Sequence, residues 1–170
     1  MSKYILTIAL LAIYFPGNSQ DPANNDIQKF LENLGKKQQS LIGQHFPFFT
    51  NKKTFSNDRF KNKLSLINFW FASCKPCLLE FNALNKLYDQ LAWNEKFQFI
   101  SLTYEKPEII NEIKKKYNLN FEIISVSYEE FLGLLQGFGC PVNVIVNKEG
   151  IVKYWKSGGE VSEERRLILF

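Results

Sequence analysis

Residues 64–81 read LSLINFWFASCKPCLLEF. Leu64–Phe71 is a short, continuous apolar run, the pattern of a strand buried on both faces. From Cys77 onward the period changes. Phe81, Leu84, Tyr88 and Leu91 recur on one helical face, with Asn82, Asn85, Lys86 and Asp89 mostly opposite. Cys74 and Cys77 therefore stand where a buried strand hands over to a helix. A cysteine pair with this spacing admits three uses: a redox couple, part of a metal site, or a structural staple.

Position favours the first. Cys74 falls at the helix N-terminus, where unpaired backbone N–H groups and the helix dipole favour a thiolate. Lys75 adds a positive charge that acts in the same direction. Cys77 lies on the same side of the first turn, within reach of a mixed disulfide formed at Cys74. Pro76 lacks an N–H, which costs little in a first turn, and its fixed φ stiffens the loop. On this reading Cys74 is the exposed nucleophile and Cys77 the more buried resolving thiol. A structural zinc site needs four ligands, and only Cys140 and His45 remain to complete one. A Cu(I) site of Cys74, Cys77 and a third soft ligand stays open. So does a plain disulfide, although this spacing closes a loop too small for much entropic stabilisation.

Downstream, the chain continues the alternation of strands and helices. FQFISLTY (Phe97–Tyr104) reads as a strand. Pro107 opens a helix reaching Tyr117, with Ile109, Ile110 and Ile113 facing in. FEIISV is a short strand, YEEFLGLLQGFG a helix closed by glycines, and VNVIV (Val142–Val146) a strand. The turn Asn147–Gly150 leads to a returning strand, IVKYW. Gly158-Gly159 breaks the chain before a last short helix, SEERRLILF. Crossover helices imply parallel strands at the centre, with a hairpin at one edge. Upstream, Ile27, Phe30, Leu31 and Leu34 mark a helix that Gly35 is expected to end. Phe46, Phe48, Phe49, Phe55 and Phe60 are expected to pack this N-terminal region onto the sheet, and His45 reads as a loop or surface residue.

The chain has 170 residues, 45% of them hydrophobic, which suits one domain with a sizeable core. Its net charge of +4 is spread thinly, so no nucleic-acid partner is expected. Lys3 precedes the apolar run ILTIALLAIYF (Ile5–Phe15) and then PGNSQDP, the order of a secretory signal. The run is too short to span a bilayer comfortably. Cleavage near Ser19 or Gln20 is the expectation. A buried strand and an uncleaved anchor are the alternatives, because the cleavage region is not a clean Ala-x-Ala. The expected organisation is a signal peptide over residues 1–20, a helical extension over 21–40, and the main domain over 41–170. A secreted chain works where disulfides persist.

The segment INFWFASCKPCLLEF (Ile67–Phe81) resembles the active site of the thioredoxin-like superfamily, in the TlpA/ResA type with its AhpC/TSA-Redoxin-like domain. FGCPVNVIVNKEGIVKYWKSGG (Phe138–Gly159) is similar to that type's downstream proline segment, and LIGQHFPFF (Leu41–Phe49) to its entry. The resemblance spans about residues 41 to 165. It implies an α/β, thioredoxin-like fold, a central mixed sheet flanked by helices with an N-terminal extension. It also implies a bacterial extracytoplasmic thiol-disulfide oxidoreductase, in the periplasm or cell envelope. By the same resemblance Cys74 attacks and Cys77 resolves through a redox-active Cys74–Cys77 disulfide. Pro141 takes the place of a cis-proline that lies against the pair and docks extended substrate. Glu80 takes the place of an acidic residue common after the second cysteine, with a plain exposed helical residue as its alternative. Asn68 stands where cytoplasmic thioredoxins carry a buried Asp. The implied partners are disulfide-containing or dithiol protein substrates and a membrane-bound DsbD/CcdA-like electron donor, with no cofactor and no resident metal.

The segment departs from the family pattern at three places. Ser73 replaces the Trp that usually precedes the first cysteine, and Val142-Asn143 replaces Thr-Thr or Thr-x after the proline. Cys140 precedes that proline, where it is expected to lie near Cys74, either as a third active thiol or as a small buried hydrophobe. The alternative functions are a copper-binding or copper-delivery protein on the same fold, and a redox-inactive binding domain with a structural disulfide.

Overall fold

The structure, a computed structural model, describes residues 22–47 and 56–159. The expected signal segment, the final helix over 162–170, and Phe48, Phe49 and Phe55 lie outside those residues. The first helix, α1, runs Pro22–Leu41 and passes through Gly35 rather than ending there. A helical glycine costs only ~1 kcal/mol relative to alanine, and the good helix formers Lys36 to Gln39 carry the helix past it. The chain divides into compact units at Gly35/Lys36. The rest of the fold belongs to the second unit.

That unit alternates as its sequence predicts. β1 (Leu64–Phe69) leads into α2 (Lys75–Leu91), and β2 (Phe97–Thr103) into α3 (Pro107–Tyr117). β3 (Glu122–Ser125) leads into α4 (Tyr128–Leu135), and β4 (Val142–Val146) returns as β5 (Val152–Ser157). Among the described residues these strands make one mixed sheet, ordered β3-β2-β1-β4-β5. β3, β2 and β1 run parallel, as helical crossovers require. β4 pairs antiparallel with both β1 and β5, giving the expected edge hairpin.

Strand alternation assigns two faces. On one, Leu66, Trp70 and Phe99 pack with Cys77, Phe81 and Leu84 of α2 and with Phe121; Ile113 and Tyr117 of α3 lie against this cluster. On the other, Phe69 meets Phe131 of α4 edge to face at 5.8 Å. Phe46 there lies 5.4 Å from Phe60 and 6.5 Å from both Phe69 and Trp155. Phe46 and Phe60 thus pack onto the sheet as expected. His45 is exposed and forms an isolated bridge with Ile151.

Candidate active site

β1 ends at Phe69, and the five residues Trp70 to Cys74 lead into α2. Glu105, just past β2, holds the connecting loop: its Oε1 accepts a hydrogen bond from the Ala72 backbone N–H at 2.7 Å. Cys74 is the N-cap of α2, and its Sγ accepts from the Cys77 backbone N–H at 3.3 Å. Lys75 and Pro76 occupy the first helical positions, and both are exposed. Cys74 and Cys77 form a disulfide with their Cα atoms 5.3 Å apart. Cys74 is 6% exposed and Cys77 1%. The order of burial agrees with the sequence reading, but Cys74 is not an exposed group. In the closed bridge both residues belong to the apolar cluster of Trp70 and Phe81, which covers them.

The peptide Cys140–Pro141 is cis. Its neighbour across the site is Gly159. A Cβ at that position would lie 2.9 Å from Pro76 Cβ and 3.3 Å from Pro141 Cγ. Only a residue without a side chain lets the two prolines and the end of β5 come this close. Two hydrogen bonds fasten the arrangement: the Gly158 N–H donates to Pro141 O at 2.8 Å, and Ser157 Oγ donates to Gly139 O at 2.7 Å.

Cys140, half-buried, packs against the cluster that contains Cys74 and Cys77. Burial, with the Glu80 carboxylate adding to it, pushes its thiol up to about 12. The charged form is thus disfavoured at this third cysteine. Among the described residues no three His, Cys, Asp or Glu side chains gather as a metal site.

Below the bridge lies a line of polar side chains. Ser101, Asn68 and Asn143 are register partners across β2, β1 and β4. Asn68 Nδ2 donates to Asn143 Oδ1 at 3.0 Å, and Asn143 Nδ2 donates to Glu80 Oε2 at 3.1 Å. Glu80 is therefore tied to the sheet and half-buried, unlike an ordinary exposed helical carboxylate. Beside the motif, Phe71 stacks on Tyr104 at 6.0 Å, and Tyr104 meets Tyr128 at 5.1 Å. These aromatics flank the loop in which Ser73 stands.

Sequence reasoning did not assign Gly159, Glu105 or Asn143 to the site. Asn68 and Asn143 had a readable signal, an amide inside an otherwise apolar strand, which must find a partner when buried. Glu105 and Gly159 had none, because their roles arise from tertiary contacts.

Residues 42–155 match the AhpC/TSA family. This chain belongs to that family. The relatives include the thiol-disulfide oxidoreductase ResA of Bacillus cereus, 28% identical over 138 residues, which cover 77% of this chain and 78% of that protein. Among solved structures, a thiol-disulfide oxidoreductase from Bacteroides fragilis aligns with a TM-score of 0.58 at 21% identity, over 75% of this chain and 100% of that one. A secreted disulfide oxidoreductase of Mycobacterium tuberculosis aligns with a TM-score of 0.54 at 18% identity, over 68% and 88%. The fold of this AhpC/TSA member is thioredoxin-like, as the motif implied. Its expected activity, that of a thiol-disulfide oxidoreductase, rests on the named relatives together with the closed Cys74–Cys77 bridge.

Proposed function

We propose that this AhpC/TSA protein reduces disulfides in protein substrates outside the cytoplasm. One observation carries the reading: a Cys74–Cys77 bridge at the start of α2, spanning Pro76, against which Gly159 and, through it, Pro141 are packed. In the reduced enzyme Cys74 supplies the thiolate, favoured by its cap position and by the Cys77 N–H aimed at its sulfur. It attacks one sulfur of a substrate disulfide; the Cys74–substrate bond forms, the substrate bond breaks, and the expelled thiolate takes up a proton. Cys77 then attacks Cys74, releasing the second substrate thiol and closing the Cys74–Cys77 bond. Two electrons and two protons pass to the substrate.

A membrane-bound donor of the DsbD/CcdA kind would return the dithiol state. The extracytoplasmic location is supported by the charged and apolar N-terminal pattern around Lys3 and Ile5–Phe15. No helix among the described residues is long and apolar enough to cross a membrane.

Substrate trapping tests the proposal. Cys77→Ala removes the resolving thiol, so client proteins should accumulate as mixed disulfides on Cys74, seen on non-reducing gels and mapped by mass spectrometry. An empty trap, with wild-type protein unable to reduce insulin under any supplied dithiol, would defeat the reading.

A further inference from the structure

The exchange just described needs Cys74 to stay at the cap of α2 after the bridge has opened. The loop that delivers it has few anchors of its own. The Trp70 N–H still donates to Leu102 O of β2 at 3.1 Å, but the chain then leaves the sheet. Ala72 and Ser73 follow, with side chains too small to fix it, and Ser73 is exposed. Two contacts from the chain just past β2 take over. Phe71 stacks on Tyr104 at 6.0 Å, and the Ala72 N–H donates to Glu105 Oε1 at 2.7 Å. The Cys74 N–H then donates to Phe71 O at 3.0 Å, closing a turn, and Cys74 Sγ receives the Cys77 N–H. Glu105 is itself held from both sides. Its N–H donates to Thr103 Oγ1 at 3.3 Å, and its C=O accepts from Ser125 Oγ at 2.7 Å, which ties it to the ends of β2 and β3. A carboxylate on a backbone N–H makes a charge-assisted bond, stronger than a neutral one.

We propose that Glu105 is a positioning residue for the nucleophile: by holding the Ala72 N–H it keeps the Phe71–Cys74 turn closed in the reduced enzyme, with the Cys74 sulfur on the Cys77 N–H. The proposal rests on the reading of Cys74 as the attacking thiol. Opening the bridge removes the covalent tie between Cys74 and Cys77, and the loop is then what confines Cys74. A sulfur that drifts from the helix N-terminus loses the N–H donor and the dipole that favour its thiolate. The charge of Glu105 works in the other direction, since a nearby carboxylate disfavours a thiolate. Holding and charge thus have opposite signs at Cys74, and substitution can separate them. The other titratable groups on the elements that meet here stay in place throughout. They are Lys75 and Glu80 on α2, Tyr104 just past β2, Tyr128 on α4, and Cys140 before Pro141.

The test is alkylation of the reduced protein by iodoacetamide across a pH series, with the rate at Cys74 read by peptide mass mapping. Wild type, Glu105→Gln and Glu105→Ala are compared, with circular dichroism and melting temperatures taken alongside. Glutamine keeps an oxygen acceptor for the Ala72 N–H and loses the charge; alanine loses both. The Cys74 midpoint should stay at or below that of wild type in Glu105→Gln, and lie higher in Glu105→Ala than in Glu105→Gln. For a one-unit gap the thiolate fraction below both midpoints falls about tenfold, while the more basic thiolate is about threefold more reactive. The alanine variant should therefore react about threefold more slowly than the glutamine variant at low pH, and faster above both midpoints, so that the two profiles cross. Equal midpoints in the two variants would overturn the proposal. So would a rate difference of the same size at every pH, which is what mere loosening of the loop produces. If Glu105→Ala does not fold, Glu105→Met, of similar bulk and without an oxygen acceptor, takes its place. Alkylation involves no disulfide substrate, so its outcome is separate from that of insulin reduction.

Discussion

The two faces of the sheet are built from alternate residues of the same strands, yet they do different work. Ile67, Phe69, Val142, Val144 and Trp155 point to one side, where they meet Phe46, Phe60 and Phe131 in a core dominated by aromatic rings. Leu66, Asn68, Trp70, Ser101 and Asn143 point to the other, which is also apolar but carries the disulfide and a line of hydrogen-bonded amides. Burial alone supports the first face. The second gives up some apolar contact for a line of amides bonded to one another, since an unpaired buried polar group costs about 1–3 kcal/mol. The Trp70 indole N–H on the same face has no partner among the described residues. The disulfide sits on the face that also carries this bonded polar line.

The sharpest way to separate the faces is to remove one sulfur. Cys74→Ser should drop insulin reduction to the uncatalysed background while circular dichroism of the reduced protein is unchanged, because the small loop closed by the bridge adds little stability. On the opposite face, Phe69→Ala should destabilise by about 3–5 kcal/mol in urea or guanidinium titrations. Exchange activity per folded molecule should hardly change; a proportional loss of both would erase the distinction between the faces. Gly159→Ala probes where the faces meet the substrate side. Its methyl group presses on Pro76 and Pro141, so a cost of about 1–3 kcal/mol is expected together with slower exchange.

The smallest effect concerns pH. Cys140 holds its proton to about 12, against an ordinary value of 9.0. Between those values the unfolded chain loses a proton that the folded chain keeps. This contribution to stability is therefore complete below pH 9.0 and is lost as pH rises toward about 12. Cys140→Val should flatten the decline in melting temperature over that range relative to wild type. An identical decline in the two proteins would show that Cys140 titrates freely.

Much of this was legible in the sequence, for reasons that differ from residue to residue. The run Leu64–Phe71 and the helical spacing after Cys77 announced the junction, because local period reports local structure. The hairpin around Asn147–Gly150 was equally plain from its turn residues. The helix end at Gly35 was misread, since one glycine is a weak local signal against the strong helix formers behind it. The burial of Cys74 was missed because exposure depends on what packs around the helix start, here Trp70 and Phe81. Glu105 capping Ala72 joins residues 33 apart, and no periodic pattern encodes such a contact.

The fastening of Gly158 and Ser157 to the loop around Pro141 has a consequence for how the protein is made. In a chain synthesised from its N-terminus, Cys74 and Cys77 exist well before the residues that wall them. Until the β4–β5 hairpin docks, the dithiol is present without Pro141 and Gly159 beside Pro76. In that interval the cysteine pair lacks the loop that Gly158 and Ser157 later fasten around Pro141. The loop around Pro141 is fastened last, by the end of β5, so a truncation just before Ser157 should leave the Cys74–Cys77 bridge reducible while slowing its exchange with protein disulfides.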